Sequence, residues 1–212
     1  MRILILSDSL SLPREKPEAC SFEDTWPEQI RQTGNIIHQV SIGGATSSDI
    51  YRQCSYHASF NPDVVIVQVG IVDCSPRFLS KTEQQILRKI PVFGKKLIQV
   101  MNKKWIRKIR RLTYTSIELF AKNIHSIIQY FKNSQFIVIG IVPPDSRYED
   151  QMPGITRNIF LYNEVLEKAK ASFISLQNMP QKGVMIDHHH LNNLGHKYIA
   201  GEIEKILSSE KL

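Results

Sequence analysis

Cysteine is scarce in this chain of 212 residues, and long apolar runs do not occur in it. Its three cysteines, Cys20, Cys54 and Cys74, are odd in number and widely spaced, which predicts free thiols rather than a disulfide framework or a zinc site. No stretch approaches the ~20 apolar residues of a membrane-spanning helix. The apolar run at positions 3–6 is also shorter than the ~7–15 apolar residues of a secretory signal. We therefore expect a cytoplasmic protein.

Acidic residues are nearly missing from one long segment. Between Lys81 and Arg111 there are eleven Lys or Arg residues and a single acid, Glu83, so the segment carries a charge of +10. Subtracting this from the net charge of +7 leaves −3 for the remainder. The basic character is therefore a local property that says little about the rest of the protein.

Short apolar runs alternate with helical patterns along the chain. The predicted strands cover residues 3–6, 36–42, 64–70, 136–142 and 173–176. Nearly continuous apolar strands that alternate with helices are typical of a parallel sheet covered on both faces. The sequence therefore predicts one α/β domain over residues 1–212, a three-layer α/β/α sandwich with right-handed crossovers. A basic helical insertion is expected at about 78–112, and a polar loop at about 143–154.

Candidate catalytic residues lie at the two ends of the chain. Ser9 follows the first strand, and in open α/β sheets chemistry gathers at the carboxyl ends of the strands. Asp187 and His190 are three residues apart on a predicted loop, where the carboxylate could fix the imidazole tautomer and leave Nε2 free to accept a serine proton. His188 and His189 stand beside them, but consecutive histidines rarely converge on one ion. We therefore expect no metal.

Four short blocks resemble the SGNH (GDSL) hydrolase family. The first, at residues 7–10, reads Ser-Asp-Ser-Leu where the family has Gly-Asp-Ser-Leu. The second is the glycine block at 42–46, and the third, Gly-Ile-Val-Asp at 70–73, falls where the family has Gly-x-Asn-Asp. The last, at 187–196, is similar to the family's Asp-x-x-His-Leu-Asn-x-x-Gly-His. The blocks come in the family's order and span almost the whole chain.

The resemblance implies a role for each matching position. Ser9 would be the nucleophile, His190 the general base and Asp187 its orienting acid. The backbone N–H groups of Ser9 and Gly44 would donate to the oxyanion. The resemblance also implies a flavodoxin-like five-stranded parallel sheet and ester chemistry without a cofactor.

Two positions depart from the family pattern. Ser7 replaces a glycine, which is a mild change, but Val72 replaces the asparagine whose side chain donates to the oxyanion in the family. Valine has no donor, and losing one such donor typically costs ~10²–10³ in rate. Arg77, His188 and Asn192 are the candidates to supply a substitute contact to the substrate.

The implied activity is that of a serine esterase acting on a small acyl ester. An O-acetyl group on a sugar or glycan precursor is the leading substrate class, with a lysophospholipid-type ester or a thioester as the others. One alternative is an acyltransferase that uses the same triad. Another is a non-catalytic binding module that kept the fold, which Val72 favours and the presence of all three triad residue types disfavours.

The basic segment predicts an amphipathic helix over residues 95–112. Its apolar residues recur at helical spacing, with Lys and Arg mainly between them, and Pro91 and Gly94 predict a break before it. One interpretation is that Trp105 and the rest of the apolar face pack on the protein's own domain. The other is that the segment holds an anionic membrane surface or an acidic polysaccharide, giving a protein peripheral to the membrane. No recognition motif for nucleic acid accompanies the charge, so we do not expect that partner.

Overall fold

The computed structural model describes residues 1–90 and 93–209, and only the backbone of 93–95. Five parallel strands form one sheet in the order β2-β1-β3-β4-β5. This order is that of flavodoxin-like sheets, in which ligands bind beyond the carboxyl ends of the strands. The strands are β1 (Arg2–Ser7), β2 (Ile36–Ser41), β3 (Val64–Gln68), β4 (Gln135–Ile139) and β5 (Ser172–Ile174). The predicted α/β class and parallel sheet are confirmed.

Helices connect the strands and cover both faces of the sheet. In chain order they are α1 (Trp26–Gln32), α2 (Ser47–Tyr51), α3 (Cys54–His57), α4 (Ile71–Cys74), α5 (Lys81–Arg88), α6 (Phe93–Met101), α7 (Lys104–Arg110), α8 (Ile117–Tyr130), α9 (Ser146–Gln151), α10 (Ile155–Glu167) and α11 (Asn193–Ser209).

The central strands are buried from both sides, which explains their nearly continuous apolar sequences. Alternate residues of β1 point to opposite faces: Leu4 and Leu6 join the core under α8 and α10, whereas Ile3 and Ile5 join the core under α1 and α11. All four of these side chains are fully buried. Because β1 is clamped between two cores, the residues that follow it are held in a fixed position.

Two predictions about local structure are wrong. The loop expected at 143–154 contains α9, whose start is capped by the Asp145 carboxylate, which accepts a hydrogen bond from Tyr148 N–H at 2.7 Å. The single amphipathic helix expected over 95–112 is divided, because α6 ends at Met101 and Lys103 adopts an extended conformation before α7. Gly94 lies inside α6 rather than at a break, and Pro91 lies outside the described residues.

The expected packing of the apolar face of the basic segment is also wrong in part. Ile106 and Leu112 are half-buried, but Trp105 is 63% exposed and Ile109 is 71% exposed. Trp26, in contrast, is fully buried. Within residues 1–90 and 93–209, none of the helices combines the length and apolar character that crossing a bilayer requires.

Candidate functional site

The turn after β1 presents Ser9 at the carboxyl edge of the sheet. The Asp8 N–H group donates to the Gln68 carbonyl of β3 at 3.1 Å, so the chain stays paired one residue beyond the strand. One oxygen of the Asp8 carboxyl then accepts a hydrogen bond from Leu10 N–H at 2.9 Å and closes a 3₁₀ turn over Ser9–Ser11. Ser9 is half-buried in this turn, while Asp8 and Leu10 are buried. The turn therefore leaves only the serine partly open to solvent.

The loop before α11 holds Asp187 and His190. The Met185 N–H group donates to the His190 carbonyl at 2.8 Å, so the loop closes on itself. One Asp187 oxygen accepts from the backbone N–H groups of His190 and His189, at 3.0 and 3.3 Å. The other lies 2.6 Å from His190 Nδ1. A carboxylate held by these three contacts has a fixed orientation towards the imidazole.

The structure brings the two ends of the chain together. Ser9 Oγ lies 3.2 Å from His190 Nε2. Because His190 Nδ1 faces the Asp187 carboxylate, it carries the ring proton, and Nε2 is left to accept a proton from the Ser9 hydroxyl. The structure therefore brings together Ser9, His190 and Asp187, the three residues that the sequence nominates, and their catalytic roles stay a prediction.

The charges of this site favour an ionised Asp187 and a neutral His189. Burial opposes ionisation of Asp187, but the side-chain and backbone hydrogen bonds from His190 outweigh it and lower the pKa of this carboxyl well below its ordinary value. The pKa of His189 is lowered by burial and by the neighbouring His190. The site therefore has one firm negative charge, on the side of His190 that faces away from Ser9.

The glycine block follows β2, the strand next to β1. Gly44 sits at a φ of +70°, a left-handed conformation that favours glycine, and a Cβ there would meet open space. The conformation of the backbone, rather than lack of room, therefore calls for glycine at this position. Among the described residues, the N–H groups of Gly44 and Ser9 have no hydrogen-bond acceptor. These two backbone N–H groups lie in the turns after β1 and β2, which are adjacent strands, at the same edge of the sheet.

Two buried carboxyls lie beneath these turns. Asp73 accepts hydrogen bonds from the Ser47 N–H and hydroxyl groups at 3.0 and 2.8 Å, which ties the third block to the glycine block. Burial raises the pKa of Asp73, against the hydrogen bonds from Thr115 and Ser47. Burial, opposed by the Leu10 hydrogen bond and reinforced by repulsion from Asp73, raises the pKa of Asp8 to about 7.

Val72 and Arg77 lie on the third-block loop. Val72 is half-buried, and its side chain packs against the core under α8. The Arg77 guanidinium donates to the Val72 carbonyl at 3.2 Å and lies 4.1 Å from the centre of the Tyr114 ring. The described contacts of Arg77 are therefore with its own domain, next to the position where the family has its asparagine.

His188 and Asn192 make structural contacts of their own. His188 Nδ1 lies 2.8 Å from the Asp145 carboxylate. The Asn192 side-chain oxygen accepts from the Leu194 and Gly195 N–H groups at 3.1 and 3.3 Å and caps α11. Neither side chain contacts Ser9 in the structure. The Asn192 side-chain nitrogen also donates to the Lys182 carbonyl at 2.8 Å, so both ends of this amide are already engaged away from Ser9.

Tyr148 of α9 supports the histidine loop, a role that the sequence does not predict. Its buried ring stacks on the His189 ring at 5.6 Å between centroids and on the His188 ring at 6.0 Å. His189 in turn contacts the His190 ring at 4.1 Å. The only signal in the sequence is the capping residue Asp145 after two prolines, which could have predicted a helix start here.

Gly195 fixes the distance between α11 and the histidine loop. A Cβ on Gly195 would lie 2.3 Å from the Gly183 carbonyl oxygen, closer than any real contact. Only a glycine lets the first turn of α11 pack directly on the backbone of this segment. The same Gly183 oxygen accepts a hydrogen bond from Asn192 N–H at 3.1 Å, so the two segments are joined there.

Asp187, His189 and His190 are close enough to one another to be considered as metal ligands. Their potential ligand atoms lie within 4.8 Å of one another. However, His190 Nδ1 already contacts the Asp187 carboxylate, and His189 Nδ1 lies 2.8 Å from the Asp187 carbonyl oxygen. An ion would have to displace the first of these contacts, so the donor set suits a hydrogen-bonded pair better than a metal. That no metal is needed stays a prediction.

Several solved structures that are similar to this chain are described as lipases, esterases or acylhydrolases. A lipase/acylhydrolase from Enterococcus faecalis superposes with a TM-score of 0.68 at 15% identity, over 99% of this chain and 96% of that one. A GDSL-like lipase from Bacteroides thetaiotaomicron has a TM-score of 0.64 at 13% identity, and the match covers 99% of this chain and 88% of that one. A psychrotrophic esterase from Pseudoalteromonas sp., in a structure inhibited by monoethylphosphonate, has a TM-score of 0.61 at 14% identity. The match covers 98% of this chain and 97% of that one. No family model matches the chain, and no curated protein matches it in sequence. The chain therefore has the fold of the GDSL-like lipases and acylhydrolases, the SGNH fold that its four sequence blocks predict.

Proposed function

We propose that this protein is a serine ester hydrolase in which Ser9 is the nucleophile, His190 the general base and Asp187 its orienting acid. The observation that carries the proposal is the pair of contacts at His190, 3.2 Å to Ser9 Oγ and 2.6 Å to the Asp187 carboxylate. The fold supports it, because the similar structures are described as lipases, esterases and acylhydrolases.

In the first half-reaction, His190 Nε2 accepts the Ser9 proton as Oγ attacks the ester carbonyl. The Asp187 carboxylate stabilises the imidazolium that forms. The tetrahedral intermediate collapses to an acyl-serine when His190 returns the proton to the leaving alcohol. Water then attacks the acyl group by the same route, with His190 again accepting and returning a proton.

The oxyanion of each intermediate is stabilised by the N–H groups of Ser9 and Gly44. Both donors lack an acceptor among the described residues, so they need not break a hydrogen bond to act. Val72 supplies no third donor, and the described contacts of Arg77, His188 and Asn192 supply no obvious substitute. We therefore expect a rate below that of an enzyme with all three donors, because one donor is typically worth ~10²–10³.

For the substrate we propose a small acyl ester, with the O-acetyl group of a sugar or glycan precursor as the leading class. This choice comes from the resemblance of the four sequence blocks. An acyltransferase would use the same residues and differ only in its acceptor, so a sugar alcohol added to the assay separates the two. A non-catalytic module is the remaining alternative, favoured by Val72 alone.

Labelling with a fluorophosphonate, read by intact mass, tests the proposal directly. A fluorophosphonate reacts covalently with an activated serine, and one similar structure is an esterase inhibited by a phosphonate. The parent should take up one label and hydrolyse p-nitrophenyl acetate, and Ser9→Ala and His190→Ala should do neither while keeping the parent's circular dichroism. Ser55→Ala, which changes an exposed serine on α3, is the matched control and should behave as the parent. Undiminished labelling or hydrolysis in Ser9→Ala would refute the assignment.

A further inference from the structure

The three helices of the basic segment leave an unusual number of large apolar side chains in solvent. On α7, Trp105 and Ile109 are one helical turn apart, and both are more than 60% exposed. The half-buried residues of α7, Ile106, Arg107 and Arg110, lie on the side of the helix that is turned towards the protein. The exposed apolar side chains of the segment are Ile86 and Ile90 around α5, Leu97 and Val100 on α6, and Trp105 and Ile109 on α7. Isolated exposed apolar residues are ordinary, but a concentration of them within one segment marks an interaction surface.

Basic side chains surround these apolar ones. Lys104 and Lys108 are exposed on α7, and Lys96, Lys103 and Arg111 are exposed on α6 and at the ends of α7. The sequence has no Asp or Glu from Gln84 to Ile117. Since residues outside the segment carry −3 in total, an anionic surface would attract this side of the protein and repel the rest.

The segment is fastened to the domain beside the third-block loop. Arg110 donates to both oxygens of Glu83 at 3.0 and 2.7 Å, which joins α7 to α5. The Arg77 N–H group donates to the Leu112 carbonyl at 2.7 Å, and Gln84 donates to the Tyr114 hydroxyl at 2.7 Å. The exposed residues therefore form part of a folded surface that adjoins the loop carrying Val72 and Arg77.

We infer that this surface docks on an anionic phospholipid bilayer. Exposed Trp and Ile next to Lys are what a helix lying in the headgroup region needs, because the apolar side chains enter the acyl boundary while the ammonium groups stay at the phosphates. A second copy of the chain would bring like charges together, and nucleic acid would leave the apolar side chains without a role. The inference goes beyond the proposed function, since vesicle binding requires no hydrolysis.

Two arginines of α7, unlike the exposed lysines beside them, are held by the protein's own side chains. Arg110 is held by Glu83, and Arg107 is half-buried, with its guanidinium 5.5 Å from the Phe78 ring centre and bonded to the Asn102 side chain. Lys103, Lys104 and Lys108 are exposed and have no acidic partner among the described residues. These three lysines are therefore the ones to change.

Vesicle co-sedimentation of the full chain tests the inference without any substrate. Binding should require phosphatidylserine in a phosphatidylcholine vesicle and should weaken as salt rises. Each basic residue near such a surface raises the membrane partition coefficient by a factor of about five. The triple variant K103E/K104E/K108E should therefore lower this coefficient by roughly 100-fold or more. The matched control, K122E/K132E/K197E, changes three exposed lysines on α8, just after it and on α11, with the same change in net charge. It should bind within a few-fold of the parent.

Tryptophan fluorescence reports the apolar part of the contact. The chain has two tryptophans, of which Trp26 is fully buried and Trp105 exposed, so a blue shift on adding vesicles arises from Trp105. Brominated lipids should quench that signal, and Trp105→Ala should abolish it and weaken binding, whereas Phe160→Ala, at a 60% exposed position on α10, should not. Equal binding to neutral vesicles, equal loss in both lysine triples, or a Trp105-dependent dimer without vesicle binding would overturn the inference.

Discussion

Replacing Asp8 by asparagine should make the protein more stable relative to the parent as the pH rises from 4 to 7. Asp8 is fully buried, one carboxyl oxygen has no hydrogen-bond partner among the described residues, and burial raises its pKa from 3.8 to about 7. Asparagine has nearly the same shape and keeps the oxygen that accepts from Leu10 N–H. The substitution therefore removes the titration while preserving the turn that carries Ser9.

The size of the effect comes from the difference in proton binding between the two states. Between pH 4 and pH 7 the unfolded chain has lost the Asp8 proton and the folded chain keeps it, so the free energy of unfolding of the parent falls as pH rises. Each pH unit between the two pKa values contributes about 1.4 kcal/mol, and because titration is only half complete near each end, the total across the interval is about 3 kcal/mol. Above pH 7 both states are ionised and the loss stops. The asparagine of the variant does not titrate, and the other titrating residues are the same in both proteins, with Asp73 losing a repulsive neighbour.

Urea unfolding of the parent and of Asp8→Asn at pH 5, 6, 7 and 8 measures this difference. The gap between the two free energies of unfolding should widen by about 2 kcal/mol from pH 5 to pH 7 and level off by pH 8. Asp150→Asn, which changes an exposed aspartate on α9, is the control and should follow the parent. A gap that is constant with pH, or one that narrows as pH rises, would show that Asp8 is ionised in the folded protein and would refute the reasoning.

Two further predictions concern the loops around Ser9. Val72→Asn should raise the rate of p-nitrophenyl acetate hydrolysis by up to ~10²–10³, because it restores a hydrogen-bond donor to the oxyanion. The control Val72→Ala adds no donor and should not raise the rate. An unchanged or lower rate in Val72→Asn would mean that the pocket has no need of that donor. Gly195→Ala should lower the free energy of unfolding by about 1–3 kcal/mol and reduce hydrolysis, because its Cβ would overlap the Gly183 oxygen. Gly201→Ala, in the same helix but facing open space, is the matched control and should be neutral or stabilising in urea unfolding.

The sheet could be predicted from the sequence because its signal is local. Buried parallel strands require nearly continuous apolar residues, and the run from Ile3 to Leu6 has them without interruption. The predicted ends of β3 and β4 lie two and three residues too far along the chain. The apolar sequence continues after the strand pairing ends, through Val69 after β3 and through Ile141 and Val142 after β4. Composition alone does not distinguish the last residue of a strand from the first buried residue of the following loop.

The structures of the basic segment and of α9 are harder to predict from the sequence, because tertiary contacts decide them. Apolar residues recur at helical spacing from Leu97 to Leu112, yet the helix stops at Met101, and the side of α7 that faces the domain is fixed by the Arg110–Glu83 ion pair. A periodicity in the sequence does not reveal which face has a partner. In α9 most residues are polar, and its one buried side chain, Tyr148, acquires its role only by stacking on histidines 40 or more positions away.

In the site, the contact between Asp187 and His190 could be predicted from the sequence, because a separation of three positions on a loop lets the carboxylate reach Nδ1. Their approach to Ser9 followed from the resemblance of the blocks and from the general rule about strand ends. The candidate partners of the oxyanion could not be ranked from the sequence. Whether Asn192 caps a helix or faces a substrate depends on the orientation of one side chain.

Ser9 and His190, which lie in contact, are separated by 181 positions in the chain. Contacts between distant residues carry a large loop-closure cost and form late in folding. Ser9 belongs to a turn clamped by the central strands, whereas His190 belongs to a loop that holds its place through α11 and Gly195. Any partly unfolded state in which α11 leaves the sheet would separate His190 from Ser9 while the strands remain paired. Ester hydrolysis would thus report the docking of this one helix, and inactivation would precede global unfolding.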